Sequence, residues 1–157
     1  MNKLITILLF LTVAVHAIGQ EIAKNETLPA KDPKVAVTIG ILQGGGGLLG
    51  ADFEFMVAPR LSLQAGAGIT SFGAGINYHL KPQINSSMIS LSYWHQGIGD
   101  SYTQSLLGPS FVFRARKIFT AQLGLGYLLE EGPAWPENTA HPSAMLLYSI
   151  GIYLPIK

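Results

Sequence analysis

The sequence is expected to fold as an all-β, eight-stranded antiparallel up-and-down transmembrane β-barrel, preceded by an N-terminal signal peptide. Three observations lead there. Only 12% of the 157 residues are charged while 48% are hydrophobic, against roughly 25% charged in an average soluble domain. No stretch beyond the N-terminus offers the ~18 continuous apolar residues of a spanning helix. Segment after segment instead alternates with period two, apolar on one face and small or polar on the other. Only helices and closed barrels satisfy every backbone polar group in lipid, so a chain that crosses with strands must close them.

The pattern is clearest from Lys117 to Leu128. Phe119, Ala121, Leu123, Leu125 and Tyr127 alternate with Thr120, Gln122, Gly124 and Gly126. A soluble sandwich would turn the apolar face inward, whereas a barrel in lipid turns it outward around a polar interior.

The chain divides into residues 1–19, a secretory signal, 20–33, a flexible periplasmic lead-in, and 34–157, the barrel. Lys3 supplies the positive start of the signal, Leu4 to Val15 its apolar core, and cleavage fits after Ala17 or before Gln20. The lead-in is polar, holds two prolines and shows no periodicity. Sequons at Asn25-Glu26-Thr27 and Asn85-Ser86-Ser87 are discounted, because signal and barrel together point to a bacterial envelope.

Eight candidate strands follow. The first, Lys34 to Leu42, sets Val35, Val37, Ile39 and Ile41 against Ala36, Thr38 and Gly40, and Gly44 to Gly47 then reads as a hairpin. The second, Leu49 to Val57, exposes Phe53 and Phe55 and turns Asp52, Glu54 and Met56 the other way. The third runs from Leu61 to Ile69 and the fourth from Phe72 to Leu80, the latter placing Asn77 and His79 on its polar face. After Lys81-Pro82-Gln83 the fifth sets Ile89, Leu91 and Tyr93 against Ser90, Ser92 and Trp94. The loop HQGIGDSYTQS separates it from the sixth, where Leu107, Pro109, Phe111 and Phe113 oppose Gly108, Ser110, Val112 and Arg114. The seventh is the strand described above, and the eighth, Ala144 to Leu154, presents Leu146, Tyr148, Ile150, Ile152 and Leu154.

The connections alternate in charge. With a periplasmic start, the even ones carry Arg60, Lys81, Arg116 and Lys117, while the odd, outward ones carry Asp100, Glu130, Glu131 and Glu137 and no Lys or Arg. Aromatic residues form two bands, Phe72, Tyr93, Trp94 and Tyr127 at one rim and Phe55, Tyr78, Phe113 and Phe119 at the other.

A formal net charge of +1 excludes a strongly basic nucleic-acid binder, so no nucleic-acid partner is expected. With no cysteine there is neither a disulfide framework nor a thiolate metal site. His16, His79, His95 and His141 lack metal-ligand spacing, and neither a metal nor any other cofactor is expected. The glycine run lacks the Gly-Lys-Ser/Thr ending of a phosphate loop. Glu130, Glu131 and Glu137 read as a solvated outer loop.

On these features the segment from Lys34 to Lys157 resembles the small eight-stranded outer-membrane barrels of the OmpA membrane domain and OmpX type. The phrase LGADFEFMVAPRLSLQAGAG, residues 49–68, is similar to their strand-turn-strand units. The alternation Tyr148, Ile150, Ile152, Leu154 resembles the C-terminal signal read by the barrel-assembly machinery, although the chain ends Pro155-Ile156-Lys157 and not on an aromatic residue. The resemblance implies a Gram-negative outer membrane, with outer-membrane lipid, lipopolysaccharide and the assembly machinery as partners.

Asp52 and Glu54 on the second strand and Arg114 on the sixth are the most constrained charges, since strands two and six of eight lie across the lumen. An interior ion pair between Glu54 and Arg114 is predicted, with His79 nearby and Asp52 in the same polar network. An interior this narrow is filled by side chains, which excludes a wide diffusion pore. His95, Asp100 and Ser101 contain the residue types of a hydrolase triad, and some eight-stranded barrels are lipid A deacylases or acyltransferases. The deacylase family carries His-x-Ser-Asn, whereas His95 here is followed by Gln96-Gly97-Ile98. The expectation is therefore a non-enzymatic barrel with a structural or surface-interaction role. The alternatives are a lipid hydrolase or acyltransferase at the outer rim, and a soluble secreted barrel that binds an apolar ligand inside.

Overall fold

The structure, a computed structural model, describes residues 32–135 and 142–156. The expected signal and nearly all of the expected lead-in lie outside the described residues, as do Glu137 and His141.

Eight strands form a closed barrel: β1 (Val35–Ile41), β2 (Leu49–Ala58), β3 (Leu61–Gly68), β4 (Ser71–His79), β5 (Met88–Gln96), β6 (Gln104–Arg114), β7 (Phe119–Glu131) and β8 (Ala144–Ile156). Each pairs antiparallel with its neighbour in sequence, and β8 closes the ring on β1 through pairs such as Val37 with Leu154 and Ile39 with Ile152. Closure leaves no strand edge unpaired. The end where β1 begins and β8 finishes is called lower here, the other upper.

Period-two alternation decides which way each side chain points. Phe119, Leu123 and Leu125 on β7 face outward at 42%, 64% and 54% exposure, while Thr120 and Gln122 between them are buried. The same division runs round the ring: Phe53 and Phe55 are exposed beside buried Asp52 and Glu54, and Ile150 and Ile152 beside buried Ser149 and Tyr153. The outer wall is therefore apolar and the lumen largely polar.

Strand ends run further than the alternation suggested. β5 continues through His95 and Gln96, and β6 starts at Gln104, because His95 pairs with Ser105 and Gln96 with Gln104. β7 reaches Glu131, with a register shift opposite Ser105 and Leu106. A second shift lies between Met56 and Ala58, where β2 turns into Pro59-Arg60.

Two connections depart from expectation because they fold into the barrel mouths. The glycine run is not a simple hairpin: Gln43–Gly46 makes a tight turn with Gly44, Gly45 and Gly46 at positive φ, and Gln43, Gly44 and Gly45 are buried. Gly45 sits at φ 83°, and a Cβ there would lie 2.0 Å from the Phe72 carbonyl oxygen, so the turn demands glycine both for its backbone and for its space. Between β4 and β5 the lower connection turns inward at Ile84, which is 2% exposed and packs on Ala36 and Met56. Burying that side chain is worth ~1.5–3 kcal/mol.

Trp94 is the third correction. It belongs to no outer aromatic band but points into the upper lumen against Leu106 and Leu147, with Leu128 and Met145 beside them. The parity that turns Tyr93 outward turns Trp94 in.

Candidate functional site

The lower lumen centres on Glu54. Position 54 falls on the inward face of β2, paired with Gln64 of β3 and Ala36 of β1. One carboxylate oxygen accepts from Ser62 Oγ at 2.5 Å and Asn77 Nδ2 at 3.2 Å, with His79 Nε2 at 2.9 Å. A carboxylate only accepts, so His79 carries its proton on Nε2. The other oxygen meets Arg114 Nη2 at 2.5 Å, across the lumen from β6.

Arg114 is itself anchored three further ways. Nη1 donates to the Ile84 carbonyl, the backbone N–H donates to Ser87 Oγ at 3.1 Å, and the guanidinium carbon lies 4.8 Å from the Tyr153 ring centroid. The ion pair thus ties β2, β6, β8 and the infolded lower loop together. Two charges removed from water are tolerable only with this density of hydrogen bonds. His79 Nδ1, Asn77 Oδ1 and Arg114 Nε are buried without a partner among the described residues.

Asp52 belongs to the upper half. It accepts from the Gly44 N–H at 3.2 Å and so holds the glycine turn, while Ser71 Oγ donates to the Gly44 carbonyl at 2.7 Å. Gln43 Nε2 donates to Ser149 Oγ at 2.9 Å, Ser149 continues to Gln122 Oε1 at 3.3 Å, and Gln122 Nε2 donates to Ser110 Oγ at 2.7 Å. Gln64, whose amide oxygen accepts from Asn77 at 3.0 Å, stands between the two halves. The four charged or titratable lumen residues expected from the sequence therefore do two jobs: Glu54, His79 and Arg114 form one cluster, and Asp52 anchors a loop.

His95, Asp100 and Ser101 do not assemble. His95 points outward from β5, stacked between Phe72 at 4.5 Å and Tyr102 at 4.2 Å, with Nδ1 3.3 Å from the Tyr93 hydroxyl. Ser101 Oγ donates to the Ile98 carbonyl at 2.7 Å, and Asp100 is exposed on the 3-10 turn Gly99–Ser101. The hydrogen bonds a nucleophile and base would share go elsewhere. Among the described residues no three His, Cys, Asp or Glu side chains gather as a metal site.

Sequence reasoning missed the two loops that enter the lumen. The signals were available in part: four successive glycines, Gly44 to Gly47, permit close backbone approach, and Ile84 is a lone apolar residue within a polar loop. Neither indicates inward or outward folding without the ring of strands around it.

The chemical capacity of the arrangement is restraint. Side chains and both loops occupy the lumen, and the Glu54–Arg114 pair ties its walls together. Comparison of the chain with protein-family models, with curated proteins and with solved structures finds no match, and the likeness to small barrels rests on what the structure itself displays, a closed antiparallel ring of eight strands.

Proposed function

We propose that this chain is an outer-membrane β-barrel of a Gram-negative bacterium, exported through a cleaved signal, with a structural or surface-interaction role and no open diffusion pore. The observation that carries the reading is the inverted alternation: Leu123 and Leu125 outward, Gln122 inward. Water would face a nearly continuous apolar wall, whereas lipid suits it. The charge difference between the two ends supports an orientation with Arg60, Lys81, Arg116 and Lys117 on the periplasmic side. The infolded loops and the Glu54–Arg114 pair support a filled lumen. Outer-membrane lipid and lipopolysaccharide are then the surroundings, and the barrel-assembly machinery the partner during biogenesis.

A soluble barrel holding an apolar ligand would need Phe119, Leu123 and Leu125 in the lumen, and they face out. The scattered contacts of His95, Asp100 and Ser101 give no support to a lipid hydrolase. Heat-modifiable gel migration of fractionated envelopes tests the reading: an outer-membrane band that shifts on boiling is expected, and recovery as a soluble species without a shift would refute it.

A further inference from the structure

We propose that the hollow at the lower mouth of the barrel binds the phosphate of a phospholipid headgroup. The proposal rests on the membrane reading above. The hollow, of about 360 Å³, lies between the infolded loop and the end of β6, and its lining includes Lys81, Asn85, Ser87, Arg114 and Arg116.

Its chemistry is that of an anion site. Lys81 and Arg116 are exposed and form no ion pair with any described residue. Ser87 Oγ accepts from the Arg114 backbone N–H, which leaves its hydroxyl proton to donate. The nearby acids do not cancel these cations: Glu54 is spent on Arg114, and Asp32 lines a separate, smaller hollow on the other side of Gln83 and Asn85. The walls are preformed, since Leu80 N–H bonds the Ser87 carbonyl at 2.9 Å, Lys81 N–H bonds Ser86 Oγ at 2.9 Å, and Arg114 holds the Ile84 carbonyl.

The apolar wall selects the source of the phosphate. Leu80 also lines the hollow and is 47% exposed, continuing the outward row of Phe72, Ala74, Ile76 and Tyr78. The hollow therefore opens at the margin of the lipid-facing surface. An acyl chain laid along Tyr78 and Leu80 brings its ester phosphate to Lys81 and Arg116, and an inorganic anion has no use for that wall.

The test uses the folded chain in maltoside micelles, with dioleoylphosphatidylglycerol as probe and native mass spectrometry counting retained lipid. The double variant Lys81→Gln/Arg116→Gln is expected to lose roughly 25-fold in affinity, about fivefold for each cation near anionic lipid. Lys117→Gln, a cation of the same end outside the hollow, should bind as the wild type does. Equal retention by wild type and double variant, both shifting on boiling, overturns the site. Displacement of the lipid by inorganic phosphate at equal concentration overturns the lipid source. A wild type that shows no shift on boiling overturns the membrane reading and this assignment with it.

Discussion

Arg114 on β6 and Glu54 on β2 meet across the barrel, Nη2 to Oε2 at 2.5 Å, with both side chains almost wholly buried. Because the pair also holds the lower loop through Ile84, removing one partner strands a charge and releases a plug. Arg114→Met should destabilise the barrel by ~3–5 kcal/mol, the usual cost of an orphaned buried charge. Adding Glu54→Gln to it should recover a good part of that loss. Urea unfolding of the micelle-bound protein measures both, and a double variant as damaged as the single one would show that the pair is not coupled.

Facing predicts unequal tolerance of charge on β7. Leu123→Arg puts a cation on the outer wall and, in the proposed bilayer setting, should cost about 2–4 kcal/mol and block insertion. Gln122→Glu should be milder, since Ser149 can still donate to position 122 and the Ser110 hydroxyl can turn to donate as well. Folding yield into lipid vesicles separates the two variants. Similar damage from both would contradict the facing assigned to this strand.

The upper plug is sensitive to a single methyl group. Gly45→Ala places a Cβ against the Phe72 carbonyl at a positive φ, and strain of this kind costs of order 1–3 kcal/mol. The turn is expected to leave the mouth while the ring of strands stays closed. Proteinase K should then cut within residues 42–48 of the variant and spare the wild type, with the boiling shift retained. Protection of both would mean that the turn is not seated as described.

His95 serves packing at the upper rim. Its stack with Phe72 and Tyr102 anchors the loop after β5, so His95→Ala should cost about 0.5–1.5 kcal/mol. Lipid A from cells producing wild type, His95→Ala or neither should be identical by mass spectrometry. A deacylated species seen with the wild type alone would restore the hydrolase reading.

A filled lumen should carry no steady current. Planar bilayers holding the purified protein are expected to stay at baseline, and ohmic steps of uniform size would count against both plugs.

Read alone, the sequence determined the number of strands, their order and the face most strand residues occupy, Trp94 being read into an outer band that it does not join. Those follow from a two-residue period and from turn residues, which are local. It also brought Glu54 and Arg114 together, because counting two of eight strands against six places them across a closed ring. Only the tertiary structure decided what fills that ring. Gly44 to Gly47 fold inward against small residues of the facing strands such as Gly73, whose Cβ would lie 3.0 Å from the Gly45 Cα, and Ile84 folds inward onto Ala36 and Met56. Trp94 finds Leu106 and Leu147 there, and Asp52 finds the Gly44 N–H. A loop's choice between solvent and lumen depends on the volume left by residues distant in the chain, and that volume exists only once the barrel has closed.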